Sequence, residues 1–475
     1  MKKLKKLLIC LMLCVFGFGL IACGDDRTEQ EKNFTYPTEA DAVYGNGGLA
    51  VRKGNYVYFV NGYKSVTTND LTKDTTFNVG SLMLAKLGAD GQLVTNETGS
   101  IRDDYFITMS NKLCGYEATD LFIHGNYLYF VSPCLENETG DEVWAKERVV
   151  FNRIKLDKTG DVEEVYSSGV KYNNLEYKYY QTNGGLYILA WEKGETKYAE
   201  NPANSLIRIN TTNSAVEVVD SGVTNVIFSE NANNVFFTKK DDKNYELKKY
   251  NVSSNSVNVY HSSEKSFELK MVTDENVFIT KTHDTMSSYT DLMISNFMAN
   301  DKSFKLFHSN VADYTLDATD DGSAVIAIKG NVMNIINVNQ NFGASGTTIT
   351  KSITVNTDAT SIKIIGYTNG CVLFYDTASS NSNISLVSYS NAIAGSDVEV
   401  TTLTTISAVA DEYAYFDLSN DENLLYFYKM SGNDYYLHKI KVNNNIEEKE
   451  QMIGVYDEED IPEIEEEETE EEEEE

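Results

Sequence analysis

The sequence is short of several residue types, and each shortage excludes a class of protein. Only 4 of 475 residues are proline and 24% are charged, which is not the composition of a disordered chain. After residue 22 no apolar run reaches the length of a membrane-spanning helix, so a polytopic membrane protein is excluded. Basic residues number 40 against 72 acidic ones, and the net charge of -32 argues against nucleic acid as a partner.

Signatures of common catalytic and metal sites are also absent. The sequence has no Gly-x-Ser-x-Gly elbow and no His-Glu-x-x-His motif, which mark many hydrolases and zinc proteases. Its five histidines are scattered and no Cys-x-x-Cys pair occurs, so a metal would lack its usual ligands. No arginine follows Arg208, and the only tryptophans are Trp144 and Trp191. We therefore expect no catalytic residue, no metal and no cofactor.

The N-terminus has the layout of a secretory signal peptide. Four lysines lie within residues 1–6, an apolar stretch covers 7–20, and Leu-Ile-Ala-Cys follows at 20–23. This tetrapeptide resembles the lipobox of bacterial lipoproteins, in which the signal is cut before the Cys and its thiol is joined to diacylglycerol. The resemblance implies a signal peptide at 1–22 and a lipid on Cys23. The alternative is an ordinary cleaved signal whose Cys is incidental.

A lipid on Cys23 would hold the protein at the extracytoplasmic face of a cell membrane, because two or three acyl chains anchor a soluble body. Residues 23–45 are rich in Asp, Glu, Thr and Asn, and we expect a flexible lipid-anchored linker there. Arginine is rare among the basic residues and Asn is abundant. This bias is typical of AT-rich genomes and favours a Gram-positive source.

The C-terminus is a polyanion. Residues 457–475 hold fifteen carboxylates and no basic side chain. Like charges repel and cannot bury apolar surface, so 455–475 is predicted to be a disordered acidic tail. The functional alternative is a polyanion that attracts cations or faces the cell wall.

Three cysteines follow the lipobox: Cys114, Cys134 and Cys371. Three thiols cannot all pair within one chain. Cys114 and Cys134 flank a predicted turn and strand, so they either form a disulfide in an oxidising compartment or remain separate thiols. The sequence leaves both alternatives open.

A short aromatic strand pattern recurs between residues 46 and 454. Its first two copies share Gly-Asn-Tyr-x-Tyr-Phe-Val, at 54–60 and 125–131. The copies begin at 56, 127, 186, 235, 277, 324, 372 and 424, at intervals of 71, 59, 49, 42, 47, 48 and 52 residues. A period near 50 residues is typical of blade-like repeats.

The residues around each copy predict a four-stranded antiparallel sheet. Most copies are followed by a strand that alternates apolar with polar residues, as at 206–210, and then by a tight turn such as Asp90-Gly91. One such sheet cannot bury both faces, whereas radial stacking buries them. We therefore predict an all-β fold, a β-propeller of about 8 blades over 46–454. Seven blades is the alternative, because the long first interval is compatible with an insertion from about Asn96 to Tyr116.

Three segments carry a family resemblance. Residues 228–237, 318–326 and 418–427 look like the turn into a strand of TolB-type propellers. The chain thus resembles bacterial extracytoplasmic β-propellers of the TolB and low-density-lipoprotein-receptor types. The resemblance implies WD40-like radial repeats, with recognition on the top face or in the central channel, where loops from all blades converge.

Two groups of side chains are weak candidates for ligand contacts. Tyr177 and Tyr179, near Trp191, offer flat rings for stacking on a sugar or peptide ring. Strand alternation puts both tyrosines on one side, so packing between blades is the alternative. Asp317, Asp320 and Asp321 crowd one turn, but their spacing differs from that of a calcium loop, and we interpret this segment as a blade turn.

These observations favour a membrane-anchored binding or scaffold module without catalysis. Its expected partners are the membrane, through the lipid anchor, and an unidentified protein or cell-wall ligand. The alternative is a surface enzyme that cleaves glycans or peptides with two carboxylates from separate blades. Two carboxylates about 5 to 9 Å apart in one central pocket would favour that alternative.

Overall fold

The computed structural model describes residues 27–453 apart from several gaps, which are 68–75, 90, 97–100, 116–119, 134–148, 171–173, 195–200, 230–233, 343–347, 379–380, 408–412, 420–423, 432–433 and 443–450. Within these residues the chain consists almost entirely of β-strands. Helices are short: α1 (Glu29–Asn33), a 3-10 turn (Asp103–Tyr105), α2 (Val338–Asn341) and α3 (Tyr389–Ile393). None of the described helices is long and apolar enough to cross a bilayer.

Four consecutive strands form each of eight blades. The first strands, nearest the channel, are β2 (Ala50–Lys53), β6 (Phe122–His124), β10 (Leu175–Thr182), β14 (Val223–Phe228), β18 (Phe267–Val272), β22 (Thr315–Ala318), β26 (Ala359–Thr368) and β30 (Tyr413–Ser419). The second strands are β3 (Tyr56–Thr67), β7 (Tyr127–Pro133), β11 (Gly185–Glu192), β15 (Asn234–Asp241), β19 (Asn276–Thr282), β23 (Ala324–Lys329), β27 (Cys371–Ala378) and β31 (Leu424–Ser431).

The outer half of each blade is built the same way. The third strands are β4 (Thr76–Lys86), β8 (Val149–Lys155), β12 (Ser205–Asn210), β16 (Asn244–Asn251), β20 (Thr290–Asn296), β24 (Val332–Asn337), β28 (Asn381–Ser388) and β32 (Asp434–Lys441). The fourth strands are β5 (Phe106–Gly115), β9 (Glu163–Ser167), β13 (Val216–Asp220), β17 (Ser256–Ser263), β21 (Lys305–His308), β25 (Lys351–Thr354), β29 (Val400–Ser407) and β33 (Gln451–Ile453). A short extra strand, β1 (Val43–Tyr44), pairs with β2.

The prediction of an all-β propeller with eight four-stranded antiparallel blades is confirmed. Every aromatic repeat found in the sequence coincides with the second strand of a blade. The suggested insertion near Asn96–Tyr116, which would have left seven blades, contains β5, the fourth strand of blade 1. The first interval is long because β3 and β4 are long and the connection to β5 carries the 3-10 turn.

Burial explains why the second strands carry the clearest sequence signal. In β15, Val235, Phe236 and Phe237 are successive and all fully buried. A strand between two neighbouring blades has both faces covered, so apolar side chains fit at every position. Eight clusters of buried apolar side chains occur among the described residues, and each draws its members from two adjacent blades. The core is therefore a ring of eight interfaces.

The ring closes between blades 8 and 1, each built from one continuous stretch of chain. The backbone of Tyr63 in β3 pairs with Tyr435 in β32, so the two blades form one nine-stranded sheet. The Tyr428 hydroxyl donates to the carbonyl of Val60 at 3.4 Å. The backbone N–H of Leu49 donates to Asp417 at 3.0 Å.

Residues 27–42, here called the strap, lie across the face of blades 1 and 2 that carries the turns between first and second strands. The strap begins with α1, where Thr28 and Glu31 form a capping box. The Lys53 ammonium donates to the carbonyl of Asp41 at 2.9 Å, and Asn126 donates to Glu39 at 2.8 Å. The segment expected to be a linker at 23–45 is therefore in contact with the propeller from residue 27 onward.

A single lysine connects the strap to both blades. Lys158, in the turn between β8 and β9, forms an ion pair with Glu31 and donates to the carbonyl of Thr108 in β5. Its backbone has a φ of +56°, in the left-handed region that non-glycine residues rarely adopt. The strap, blade 1 and blade 2 thus meet at one side chain.

Candidate functional site

Among the described residues, two adjoining cavities lie along the central channel, and both are lined by the first strands of the blades. The larger, of about 660 Å³, lies where the ring closes and is here called the closure cavity. The second, of about 500 Å³, is lined by the first strands of blades 4 to 8. Asp417 and Leu418 of β30 line both cavities. The channel is thus a continuous candidate site whose walls come from every part of the chain.

A glycine-rich turn at residues 45–48 forms one wall of the closure cavity. Gly45 and Gly47 have φ values of +72° and +86°, which glycine adopts without strain. A Cβ on Gly48 would lie 2.2 Å from an oxygen of Asp417, so only glycine lets the backbone approach this carboxylate. The Asn46 side chain accepts from Ile123 N–H at 2.7 Å and donates to the Ile123 carbonyl at 3.0 Å. The turn therefore ties blade 8 to blade 2.

Asp120 provides a second carboxylate in the closure cavity. It precedes β6 and has a φ of +35°, a region in which Asp and Asn are more tolerated than most residues. Burial raises the pKa of Asp120 to about 7, and the nearby charge of Asp417 adds to this, although a hydrogen bond from Tyr177 and the charge of Lys178 act in the opposite direction. The Asp120 carboxyl therefore changes protonation near neutral pH.

Tyr179 contributes a buried hydroxyl to this region. The residue lines the closure cavity and is 6% exposed, and among the described residues none forms a hydrogen bond with its hydroxyl oxygen. Burial, followed by the charge of Asp120, raises the pKa of Tyr179 well above its usual value, so the hydroxyl keeps its proton. A buried O–H donor without an acceptor is costly, and such groups call for an explanation.

The structure brings together two of the three residues predicted to contact a ligand ring. Tyr177 and Tyr179 both line the closure cavity, but the ring of Tyr179 stacks on Phe122 at 4.9 Å between centroids. Tyr177 packs edge-on against Phe151, also at 4.9 Å. Trp191 pairs with Glu176 on the other face of the blade and packs in the cluster between blades 3 and 4. Both tyrosine rings therefore pack against aromatic side chains of the protein, which is the packing alternative and not a free stacking platform.

The other predicted residues lie elsewhere or outside the described residues. Cys23 and Cys134 are outside them, and only the backbone of Cys114, in β5, is described. In the second cavity, Asp320 accepts from the Tyr389 hydroxyl at 2.8 Å, while Asp321 accepts from Ser323 N–H at 2.9 Å. These bonds fit a blade turn. The described part of the chain holds no group of three His, Cys, Asp or Glu side chains suited to a metal ion.

Sequence reasoning missed Asp120 and Asp417, the two carboxylates of the closure cavity. Neither belongs to a motif, and they lie in blades 2 and 8, at opposite ends of the repeat region. Their proximity arises only when the ring closes. The glycines at 45, 47 and 48 were the one local signal, because such a cluster indicates a turn or a close backbone approach.

Comparison with known proteins finds similarity in solved structures only. No family model matches the chain, and no curated protein does. TolB from Acinetobacter baumannii aligns at 10% identity with a TM-score of 0.30, covering 66% of this chain and 77% of that one. The β-propeller domain of the Trilobed protease from Pyrococcus furiosus aligns at 12% identity with a TM-score of 0.43, and the alignment covers 70% of this chain and 96% of that one. Oligogalacturonate lyase from Vibrio parahaemolyticus aligns at 9% identity with a TM-score of 0.41, and the alignment covers 69% of this chain and 85% of that one.

Proposed function

We propose that this chain is a lipid-anchored protein of the extracytoplasmic membrane face whose propeller binds a protein or cell-envelope ligand in its central channel. The observation that carries the proposal is the closure cavity, whose lining brings together Asp120, Lys178 and Asp417 from three different blades. Polar groups that converge in one concave site are the usual mark of a binding site.

The strap supports the anchoring part of the proposal. Arg27, its first residue, donates to the carbonyl of Asp157 at 3.3 Å. Only three residues lie between it and Cys23, and a fully extended chain spans the distance between the two Cα atoms in about 14 Å. A lipid on Cys23 would therefore keep the strap-bearing face of blades 1 and 2 close to the membrane surface.

Acyl labelling tests the anchor. Cells producing the full chain are fed an alkynyl palmitate, and the protein is compared with Cys23→Ala and with the control Cys371→Ala, which removes a buried thiol. We expect wild type and Cys371→Ala to carry the label and to sediment with membranes, and Cys23→Ala to lose both properties. A labelled, membrane-bound Cys23→Ala protein would refute lipidation at this residue.

Photo-crosslinking tests binding in the channel. Tyr44 lines the closure cavity and is 41% exposed, while Tyr289 is 38% exposed and lies in the loop before β20. Benzoylphenylalanine replaces each tyrosine in turn in the full chain, and cells of the source organism are irradiated. We expect a discrete crosslinked product from position 44 and none from position 289. Products from position 289 alone would place the partner outside the channel and contradict the proposal.

A carboxylate-dependent hydrolase remains a second candidate, favoured by the pair Asp120 and Asp417. A carboxyl with a pKa raised to about 7 beside a second carboxylate is a pattern used for general acid catalysis. Release of reducing ends from purified wall glycan, or of new amino termini from envelope proteins, measures this activity. An activity lost in both Asp120→Asn and Asp417→Asn supports the hydrolase. Equal rates in wild type and variants exclude these two residues from any cleavage.

A further inference from the structure

A cleft on the outer rim of the propeller brings together two lysines from neighbouring blades. It has a volume of about 430 Å³ and is here called the rim cleft. Lys249, Asn258 and Tyr260 of blade 4 and Lys302 of blade 5 are among its lining residues. No residue that lines it also lines a cavity of the central channel. The rim cleft is therefore separate from the candidate site in the channel.

The two lysines of the rim cleft have no acidic partner. Among the described residues, no carboxylate lies within ion-pair distance of the ammonium of Lys249 or of Lys302. Asp301, next to Lys302 in sequence, instead lies 3.8 Å from the ammonium of Lys305 and accepts the N–H of Ser303 at 3.0 Å. Both charges thus remain uncompensated in a protein whose net charge is -32.

Aromatic rings hold both ammonium groups in place. The ammonium of Lys249 lies 4.5 Å from the ring centre of Phe297, and that of Lys302 lies 6.0 Å from the ring centre of Tyr260. Each ammonium has three N–H donors, so contact with one ring face leaves donors for an anion.

Two consecutive hydrogen bonds fix the loop of Lys302 against blade 4. Ser295, fully buried in β20, donates its hydroxyl proton to the carbonyl of Lys302 at 2.8 Å. A hydroxyl has only one proton to donate, so the Tyr260 hydroxyl, 2.7 Å away, is the donor to Ser295. Because Tyr260 belongs to β17, the two blades are joined beside the rim cleft.

The fold holds these like charges close enough to interact. Burial lowers the pKa of Lys249, and the positive charge of Lys302 lowers it further. An anion placed between the two ammonium groups would replace this repulsion by attraction. The exposed amide of Asn258 offers neutral N–H donors beside them. A ligand suited to this wall carries about two negative charges and several acceptor oxygens.

We propose that the rim cleft binds a phosphate group, whose oxygens accept from the ammonium groups of Lys249 and Lys302 and from the amide of Asn258. A phosphate monoester has about 1.5 to 2 negative charges at pH 7 and three acceptor oxygens, which match two cations and a neutral donor. A carboxylate carries a single charge and leaves one lysine uncompensated. Free phosphate and a phosphomonoester of a sugar or glycerol share this chemistry.

Amine labelling of the detergent-solubilised full chain tests the inference. Acetic anhydride acetylates unprotonated amines, and mass spectrometry gives the rate at each lysine at pH 8, with and without inorganic phosphate at constant ionic strength. Lys243, exposed in the turn between β15 and β16, is the internal reference. We expect phosphate to slow labelling of Lys249 and Lys302 by about fivefold, because a bound anion favours the charged ammonium, and to leave Lys243 unchanged.

Calorimetric titration identifies the source of the phosphate. The probes are inorganic phosphate and glycerol 3-phosphate, and acetate is the carboxylate control. Acetate should bind about tenfold more weakly than either phosphate, because it has one charge fewer for the two lysines. Tighter binding of inorganic phosphate would support a free-phosphate site, whereas tighter binding of the ester would support a site for a phosphorylated organic molecule.

Two variants and one control locate the site. Lys249→Gln and Lys302→Gln each remove one ammonium, and we expect about tenfold weaker phosphate binding in each. Lys302 is exposed, so its replacement tests the site without disturbing the core. Lys243→Gln removes a charge outside the rim cleft and should leave binding unchanged.

Four outcomes overturn the inference. These are absence of both heat and protection with either phosphate, equal phosphate affinity of wild type and both lysine variants, and acetate binding as tight as phosphate binding. The fourth is labelling of Lys249 that is slow without phosphate and becomes faster at high salt, which would assign the rim cleft to the carboxylates of residues 457–475. None of these results concerns the closure cavity, so this inference and the proposed function fail independently.

Discussion

Asp120 and Asp417 illustrate how a closed ring creates a site from residues that no local pattern connects. Asp120 precedes the first strand of blade 2 and Asp417 lies within the first strand of blade 8, and the turn at 45–48 lies between them. Asp417 has a structural role as well, since it accepts the Leu49 N–H where blades 8 and 1 meet. The same residues therefore close the ring and form the candidate site.

The raised pKa of Asp120 predicts a pH dependence of stability. Because the folded-state pKa, about 7, lies above the unfolded value of about 3.9, folding favours the neutral carboxyl. Its stabilising contribution is complete below about pH 4 and is lost as the pH rises through 7. The free energy of unfolding of Asp120→Asn should therefore rise by roughly 2–4 kcal/mol relative to that of wild type between pH 4 and pH 8.

Urea denaturation of both proteins at pH 4, 6 and 8 measures this difference. Asp358→Asn serves as the control, because its exposed carboxylate is not part of the cavity. A constant difference between wild type and Asp120→Asn across the three pH values would contradict the assigned environment of Asp120.

The close approach of Gly48 to Asp417 predicts that a side chain at position 48 destabilises the fold. Gly48→Ala puts a methyl group 2.2 Å from the Asp417 carboxylate, which is held by the Leu49 N–H. We expect a loss of about 1–3 kcal/mol in the free energy of unfolding. Gly184→Ala is the control, since its Cβ would meet the movable end of Tyr187 at 3.1 Å and otherwise only make an ordinary contact with the Thr182 hydroxyl at 3.6 Å. Equal stability of the two variants would mean that the turn does not pack against Asp417.

At the scale of the element, the more deeply a strand is buried, the more clearly the sequence predicts it. The second strands are buried on both faces and appear as apolar runs that could be found directly. The first strands are different: β22 has no buried residue and β6 has one. A strand that faces the channel on one edge mixes polar and apolar residues without a regular period, so neither its bounds nor its role in the site could be predicted.

The contacts of the strap could not be predicted for another reason. They are hydrogen bonds and ion pairs to residues far along the chain, such as the pair of Glu31 with Lys158, together with packing of Phe34 and Tyr36 against the cluster between blades 1 and 2. A composition rich in polar residues gives no sign of such contacts, and the segment was therefore expected to be a linker.

Lys158→Asn tests whether the strap depends on its central contact. Asn tolerates the φ of +56° but removes the ammonium that joins Glu31 and Thr108. We expect faster tryptic cleavage after Lys32, by about tenfold, with little change in global stability, because local opening governs such cleavage. Lys265→Asn, which removes an exposed ion pair, is the control. Equal cleavage rates in the two variants would show that Lys158 does not hold the strap.

At the scale of the whole molecule, the repeat predicted the number of blades, and radial stacking followed from the need to cover both faces of each sheet. The mode of closure could not be predicted in the same way. Blades 1 and 8 meet through a cluster that includes Phe59 and Tyr428, and aromatic side chains of this kind occur at every interface. Nothing local distinguishes the residues that close the ring from those that join neighbours in sequence.

A matched pair of truncations tests closure. Phe59 lies in the cluster between blades 8 and 1, and Phe130 lies in the cluster between blades 1 and 2; both are fully buried. We expect Phe59→Ala and Phe130→Ala each to lower the free energy of unfolding by about 3–5 kcal/mol, measured by urea denaturation. A much smaller loss for Phe59→Ala would mean that the ring is open between its first and last blades.

The central claim is that the channel at the ring closure holds the ligand. The most direct measurement is an experimental structure of the full chain together with the partner that crosslinks from position 44. The account predicts density for that partner in the closure cavity, in contact with Asp120 and Asp417. Density for the partner only on the outer strands of the blades, with the closure cavity unchanged, would contradict it.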